Sequence, residues 1–248
     1  MSLIKVTLPD NSVKDVKKGS TPQDIATILG PGLSKDVVVS KINGVLMDLN
    51  LPILRDCGLE LFTGDTPEGH DTLLHSTAHL MAQAVKLLFP KAKVTIGPTI
   101  DNGFYYDFDV NIPFSEEILV KIEKKMKELI DLKIEIYRHE VSVKKAIKIF
   151  KDLDENYKVE IIEQINSDDI ITTYKQSDFT DLCRGPHVSN TSKIKYFKLL
   201  STSGAYWRGN ENNKMLQRIY GTVFSTKKAL KTVSYTHRRC RRLLTCRS

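Results

Sequence analysis

The stretch Thr72-Leu73-Leu74-His75-Ser76-Thr77-Ala78-His79-Leu80-Met81-Ala82-Gln83-Ala84-Val85-Lys86-Leu87-Leu88-Phe89-Pro90 decides how this chain is read. Leu74, Ala78, Met81, Val85 and Leu88 follow one another at steps of 4, 3, 4 and 3, the apolar stripe of a helix that buries one side. Thr72 can cap this helix, and Phe89-Pro90 ends it. His75 and His79 stand one helical turn apart beside the stripe, so their imidazoles face the same way. Such a pair can share a metal, a substrate or a water. The zinc-protease form of the motif carries a glutamate base directly after the first histidine. Here that place holds Ser76, which excludes the protease chemistry.

Upstream, residues 64–71 have the composition of a linker, and residues 1–63 read as a unit of their own. Ile4 to Leu8 alternates with period two and runs into the turn Pro9-Asp10-Asn11. A second strand fits Ser12 to Val16. Thr21-Pro22-Gln23-Asp24 then opens a helix, with Thr21 as cap, Pro22 at the first position and Asp24 at the positive end. Gly30-Pro31-Gly32 stops it. Val37 to Ile42, Gly44 to Met47 and Leu59 to Phe62 supply further strands. This order fits a ubiquitin-like β-grasp or another small α+β unit.

Downstream, Lys93 to Ile96 and Phe104 to Phe108 read as strands around the hairpin signal Asp101-Asn102-Gly103. Ser115 opens a helix whose stripe is Ile118, Ile122, Met126 and Leu129. Its other faces carry Lys121, Lys124, Lys125 and Lys127, a solvated or RNA-facing side. Ser142 caps a helix to Phe150, and Tyr157 to Ile165 is helical. Short strands fit Ile170 to Lys175, Ile194 to Leu200 and Tyr206 to Arg208. The second unit is therefore α+β as well.

A chain of 248 residues accommodates two such units. No apolar run approaches the ~18–20 residues of a membrane span, and the first residues lack the pattern of a signal peptide, so a cytoplasmic protein is expected. Cys57, Cys183, Cys240 and Cys246 are too few and too scattered for a disulfide framework. The net charge is +7, and residues 232–248 supply five of it, with five arginines and no acid. The first 231 residues hold 27 lysines and only five arginines, so the composition breaks near Thr232. Residues 232–248 read either as a basic tail for RNA or as sequence foreign to the fold, from a frameshift or assembly junction, and take no part in the fold reading.

The loop Asp181-Leu182-Cys183-Arg184-Gly185-Pro186-His187 answers the helix pair. Gly185-Pro186 puts Cys183 and His187 on a loop. With His75 and His79 they make a set of three histidines and one cysteine. Such a set can bind zinc tetrahedrally or form a metal-free polar cluster that holds a water. Spacing alone does not separate the two.

These two motifs, together with Ile96-Gly-Pro-Thr-Ile-Asp-Asn-Gly-Phe-Tyr-Tyr-Asp107 and Gly204-Ala-Tyr-Trp-Arg-Gly209, resemble the editing domain of bacterial threonyl-tRNA synthetases. Asn212-Asn-Lys-Met-Leu-Gln-Arg-Ile-Tyr-Gly221 resembles the stretch just after it, and residues 1–63 resemble the TGS domain of the same enzymes, a β-grasp module. The resemblance is colinear from residue 1 to about 231. It implies an α+β chain: a TGS domain at 1–63, a larger editing domain of the threonyl/alanyl type at 64–225, and the start of a linker helix at 226–231. Residues 232–248 are then a non-native or disordered tail.

The implied activity is hydrolysis of mischarged Ser-tRNA(Thr) to serine and tRNA(Thr). Serine lacks only one methyl of threonine, worth roughly 1–3 kcal/mol of discrimination, too little for translation without a second, hydrolytic site. The family's catalytic core, which holds ATP and its own zinc, and its anticodon-binding domain have no counterpart here, so no ligase activity is expected of this chain alone. By matching motifs, the resemblance implies a catalytic tetrad of His75, His79, Cys183 and His187. It gives Lys158 to the terminal ribose or a bridging water, Asp181 to the serine ammonium and Tyr106 to the tRNA end. Arg184 is a phosphate contact or a structural salt bridge. His75 or Lys158 is the expected proton relay, with Cys183 positioning rather than attacking. The threonyl cluster is regarded as working without zinc, whereas alanyl-type domains hold zinc with a similar set, so zinc at the tetrad stays an alternative. The expected partner is the acceptor end of tRNA(Thr), with neither membrane nor DNA, and the chain is expected to be monomeric. The alternatives are a non-catalytic RNA-binding TGS module and a zinc-dependent alanyl-type editing hydrolase.

Overall fold

A computed structural model describes residues 2–101 and 103–230. The arginine-rich stretch 232–248, with Cys240 and Cys246, lies outside the described residues, as does Asn102 of the hairpin signal. The first unit runs β1 (Leu3–Thr7), β2 (Val13–Lys17), α1 (Pro22–Leu29), α2 (Pro31–Asp36), β3 (Val37–Ile42), β4 (Val45–Met47) and β5 (Cys57–Thr63). Its five strands form one sheet in the order β2-β1-β5-β3-β4, with β1 and β5 parallel and the other pairs antiparallel. That is a β-grasp sheet. Thr21 and Asp24 cap α1 reciprocally, as the sequence implies. Gly30 ends α1, but Pro31 does not end helical structure. It opens α2 at the first position, where a missing N–H costs nothing. Ile4, Val6, Val16, Ile25 and Leu59 fill the core beneath the sheet.

The supposed linker is a correction. The helix α3 spans Pro67–Leu88, 22 residues or about 33 Å, and begins five residues before Thr72. Its cap is Thr66, whose hydroxyl accepts from the Gly69 amide at 3.2 Å; Pro67 takes the first position and Glu68 the first turn. These helix-starting residues are also turn formers, which is why the segment reads as a linker. Thr72 is buried inside the helix, and its hydroxyl donates to the Glu68 carbonyl at 2.8 Å. Leu74, Ala78, Met81 and Val85 are buried as the stripe requires.

The second unit continues β6 (Lys93–Val94), β7 (Thr99–Ile100), β8 (Gly103–Asp109), α4 (Glu116–Asp131), β9 (Ile136–Ser142), α5 (Val143–Asp152), α6 (Asn156–Ile162), β10 (Ile170–Gln176), β11 (Phe179–Leu182), β12 (Tyr196–Tyr206) and β13 (Met215–Phe224). One antiparallel sheet has the order β12-β13-β8-β6, with β7 against β8, and a second has the order β11-β10-β9. The strands β9, β11 and β13 are absent from the sequence reading, and β12 is one long strand where two short ones were expected. Ser115 and Ser142 cap α4 and α5 as expected. Residues 227–230 are helical, the described part of the expected linker helix.

The main core does not respect the boundary at residue 64. Val38 and Val39 of β3 share one apolar cluster with Leu73 and Leu74 of α3 and with Phe104 and Ile219 of the second unit. Thus α3 is buried between the two units, and the histidines it carries lie at their junction.

Candidate active site

Four elements deliver the site. The helix α3 supplies His75, Ser76 and His79; β8 supplies Tyr106; α6 supplies Lys158; and β11 with the following loop supplies Asp181 to His187. Pairing of β10 with β11 sets Tyr174 opposite Asp181 and Thr173 opposite Leu182. The Cys183 amide then closes onto the Thr172 carbonyl at 3.2 Å. The turn needs glycine at Gly185: its φ is +75°, and a Cβ there would lie 1.9 Å from the Tyr174 hydroxyl. The Gly185-Pro186 peptide bond is cis.

These elements bring the four tetrad residues together. Cys183 Sγ lies 3.1 Å from His75 Nε2 and 3.2 Å from His187 Nε2, and it accepts from the Gly185 amide at 3.3 Å. A thiol has one proton, so one imidazole accepts it and the other donates. His79 and His187 stack edge-to-face with ring centres 4.3 Å apart, and His75 and His187 lie 4.4 Å apart. Ser76 Oγ accepts from the Val188 amide at 3.0 Å and sits 3.1 Å from His187 Nδ1, so it fixes the ring from behind. Ser76 enters the sequence reading only as a missing glutamate.

A second network adjoins the tetrad. Lys158, only 2% exposed, places Nζ 2.5 Å from Asp181 Oδ1 and donates to the Tyr106 hydroxyl at 3.1 Å. Tyr106 donates to Asp181 Oδ2 at 2.7 Å, and His79 Nδ1 is 3.4 Å from the same oxygen. The Leu182 amide donates to Asp181 Oδ1 at 2.8 Å. Each oxygen of Asp181 therefore has two partners, which fills the lone-pair sites of the carboxylate. Asp181, expected to take the serine ammonium, is thus paired with the Lys158 ammonium in this structure. Tyr106, expected to orient the tRNA end, is buried within this network. Arg184 is exposed and makes no ion pair with any described residue, so its salt-bridge alternative is not seen.

Burial sets the protonation states. It holds His79 and His187 well below the ordinary histidine value of 6.5, helped by the neighbouring imidazoles, and it holds His75 below that value too. All three are neutral at pH 7. Burial also pushes the Cys183 thiol up to about 12, with Asp181 and Asp48 acting in the same direction, so it is not a thiolate at neutral pH. The tetrad's four donor atoms lie within 4.8 Å of one another, and a set of three imidazoles and a thiol has the chemistry zinc takes. The residues fit that ion.

A cavity of about 480 Å³ opens beside Cys183, Lys158 and Arg184. Ile96, Ile161, Ile165, Ile170 and Leu182 make much of its wall apolar, and Asp169 and Thr172 also line it.

Residues 171–220 match the family described as "Threonyl and Alanyl tRNA synthetase second additional domain", and residues 4–63 match the TGS domain. The fold and the tetrad thus define a chain that joins a TGS domain to a second additional domain of the threonyl and alanyl kind. Over 230 residues it is 53% identical to a threonine–tRNA ligase of Citrifermentans bemidjiense, covering 93% of this chain and 36% of the relative. It is 51% identical over 228 residues to the threonine–tRNA ligase of Clostridium tetani (92% of the chain, 36% of the relative) and 51% over 231 residues to that of Staphylococcus epidermidis (93% and 36%). The chain corresponds to the N-terminal TGS and editing region of threonine–tRNA ligases and spans about 36% of the length of these relatives. Among the described residues no helix is long and apolar enough to cross a membrane.

Proposed function

We propose that this site hydrolyses the ester of Ser-tRNA(Thr), releasing serine and tRNA(Thr), as an editing activity in the cytoplasm. One observation carries the reading: three imidazoles and a thiol in mutual contact are packed against a buried Lys158–Asp181 pair, beside a cavity. The correspondence with threonine–tRNA ligases supplies the substrate class. An aminoacyl ester is already activated, so the reaction needs a held water, a base and compensation for the oxyanion. His75 is the least buried of the three tetrad imidazoles and is our choice of base. It takes a proton from water, the water oxygen bonds to the ester carbonyl carbon, the carbon–ribose oxygen bond breaks, and the ribose oxygen receives a proton. Lys158, on the cavity wall, offsets the negative charge as it develops. Cys183 orients His75 and His187 and does not attack, because its thiol stays protonated. Arg184 is exposed on the cavity wall, where it meets a phosphate of the tRNA end.

In this reading the tetrad works without a metal, with Cys183 joining His75 and His187 and with His79 packed on the His187 ring. The second reading rests on the same donors: His75, His79, Cys183 and His187 would hold zinc, which would supply Lewis-acid activation of water.

The test is single-turnover deacylation, with this chain in excess over Ser-tRNA(Thr) or Thr-tRNA(Thr), so that weak affinity does not limit the rate. Rapid release of serine with threonine spared is expected. Equal rates would overturn the reading, and binding without hydrolysis would make the chain an RNA-binding module. Activity lost to a chelator and restored by zinc would give the site to the metal.

A further inference from the structure

His187 is held from outside its own unit. Its backbone amide donates to Asp48 Oδ1 at 2.6 Å, across 139 residues of sequence, and Tyr174 donates its hydroxyl to Asp48 Oδ2 at 2.8 Å. Asp48 directly follows β4 of the first unit and is 7% exposed. The next residue, Leu49, is fully buried in that unit's core, which fixes where the carboxylate points. Tyr174 in turn packs edge-to-face on the His187 ring, centres 4.4 Å apart, and its hydroxyl occupies the space that a side chain at Gly185 would need. One carboxylate of the first unit thus holds the His187 end of the Gly185-Pro186-His187 turn directly and also holds Tyr174, which packs on the His187 ring.

The contact is part of a strip. The Asn50 amide group donates to the Ser189 carbonyl at 3.4 Å. Lys193, just beyond, donates from Nζ to the carbonyls of Ser34, Lys35 and Val37 at 3.0, 3.0 and 2.8 Å, capping the C-terminal end of α2. His187, Ser189 and Lys193 are therefore each bonded to the first unit, and the tetrad's loop is the near end of the strip.

A buried carboxylate facing two neutral donors is costly to keep, since each lost bond leaves a buried polar group unsatisfied. We propose that Asp48 is a positioning residue of the hydrolytic site: the first unit sets the orientation of His187 and the Cys183 loop, and hydrolysis depends on it. This rests on the editing reading above.

The experiment uses the full chain and two variants. Asp48→Ala removes both acceptors, whereas Asp48→Asn keeps an acceptor for the His187 amide and a partner for the Tyr174 hydroxyl. Single-turnover hydrolysis of Ser-tRNA(Thr) is read as a function of enzyme concentration, alongside amide hydrogen exchange of the peptide covering 183–188. Asp48→Ala is expected to lower the saturating rate about ten- to a hundredfold, as displacements of about 1 Å do, with half-saturation within about twofold of the native value. Its 183–188 amides should exchange faster while β1 to β5 stay protected. Asp48→Asn should recover the rate to within about threefold. A native rate in Asp48→Ala would overturn the inference, as would Asp48→Asn as slow as Asp48→Ala, or loss of protection throughout the first unit. If the native chain itself hydrolyses nothing, the editing reading fails. The exchange of 183–188 then decides alone whether Asp48 holds the loop, and unchanged exchange in Asp48→Ala would sink the positioning role.

Discussion

Lys158→Met cuts the buried pair at the centre of the site. Lys158 Nζ lies 2.5 Å from Asp181 Oδ1 with both residues almost wholly inaccessible, and it also donates to Tyr106 at 3.1 Å. Methionine fills the same space without the charge, so Asp181 is left as a buried carboxylate facing only neutral donors. Removing one partner of a buried pair costs about 3–5 kcal/mol. In a domain of this size each kcal/mol moves the melting temperature by about 2–4 °C, so the variant should melt about 6–20 °C below the native chain. The double variant Lys158→Met, Asp181→Asn removes the stranded charge and keeps the amide and hydroxyl partners of residue 181, so it should regain more than half of that loss. Both variants should hydrolyse Ser-tRNA(Thr) at least about a hundredfold more slowly, because the cation on the cavity wall is gone from each. Thermal unfolding at pH 7.5, followed by far-ultraviolet circular dichroism, gives the first comparison and single-turnover hydrolysis the second. A single variant within about 2 °C of native, or a double variant no more stable than the single, would refute the closed pair as the source of this stability.

Other expectations follow from the same geometry. His75, His79 and His187 are held below 6.5 by burial, so the unfolded chain binds more protons than the folded one below that pH. Stability is then full above about pH 6.5 and falls as the pH drops below it, by about 1.4 kcal/mol between pH 7.5 and 5.5 for each imidazole that stays neutral. Urea midpoints at the two pH values check this, and a midpoint that holds or rises on acidification would contradict it. Iodoacetamide at pH 8, followed by peptide mapping, should leave Cys183 largely unmodified, since its thiol is pushed up to about 12. Hydroxylamine-sensitive seryl adducts at Cys183 would overturn its non-attacking role. Treatment with a chelator should leave the hydrolysis rate within about twofold, and zinc-restorable loss would transfer the site to the metal reading. Thr66→Ala should destabilise the chain by about 1 kcal/mol through loss of the α3 cap, whereas a flexible linker at that position would make the substitution silent in a melting experiment.

What the sequence disclosed depended on the length scale of the signal. The α3 stripe, the caps at Thr21, Ser115 and Ser142, and the alternation of β1 are local patterns, and each appears in the fold. The tetrad was legible because the resemblance joined two motifs that lie more than a hundred residues apart. Burial was not legible. Nothing local distinguishes Lys158 or Asp181 from surface charges, yet each is enclosed by elements distant in sequence, so the closed Lys158–Asp181–Tyr106 network appears only in three dimensions. Ser76 and Tyr174 act through contacts with His187 that no spacing rule predicts. The linker at 64–71 misled for a different reason: a threonine, a proline and an acid start helices and punctuate loops with equal ease, and the packing of α3 against β3 is a contact between distant residues.

The continuity of α3 with the first unit bears on how such a protein is divided or inherited. A cut at residue 64 would fall between β5 and a helix that starts three residues later, through a core in which Val38 and Val39 pack with Leu73 and Leu74. Both pieces would expose apolar surface, and the piece carrying the histidines would lose the acceptor of the His187 amide. Recombination that carried only the second unit into another protein would therefore deliver the chemistry without its footing. In this chain the two units share one apolar core, although each matches a family of its own.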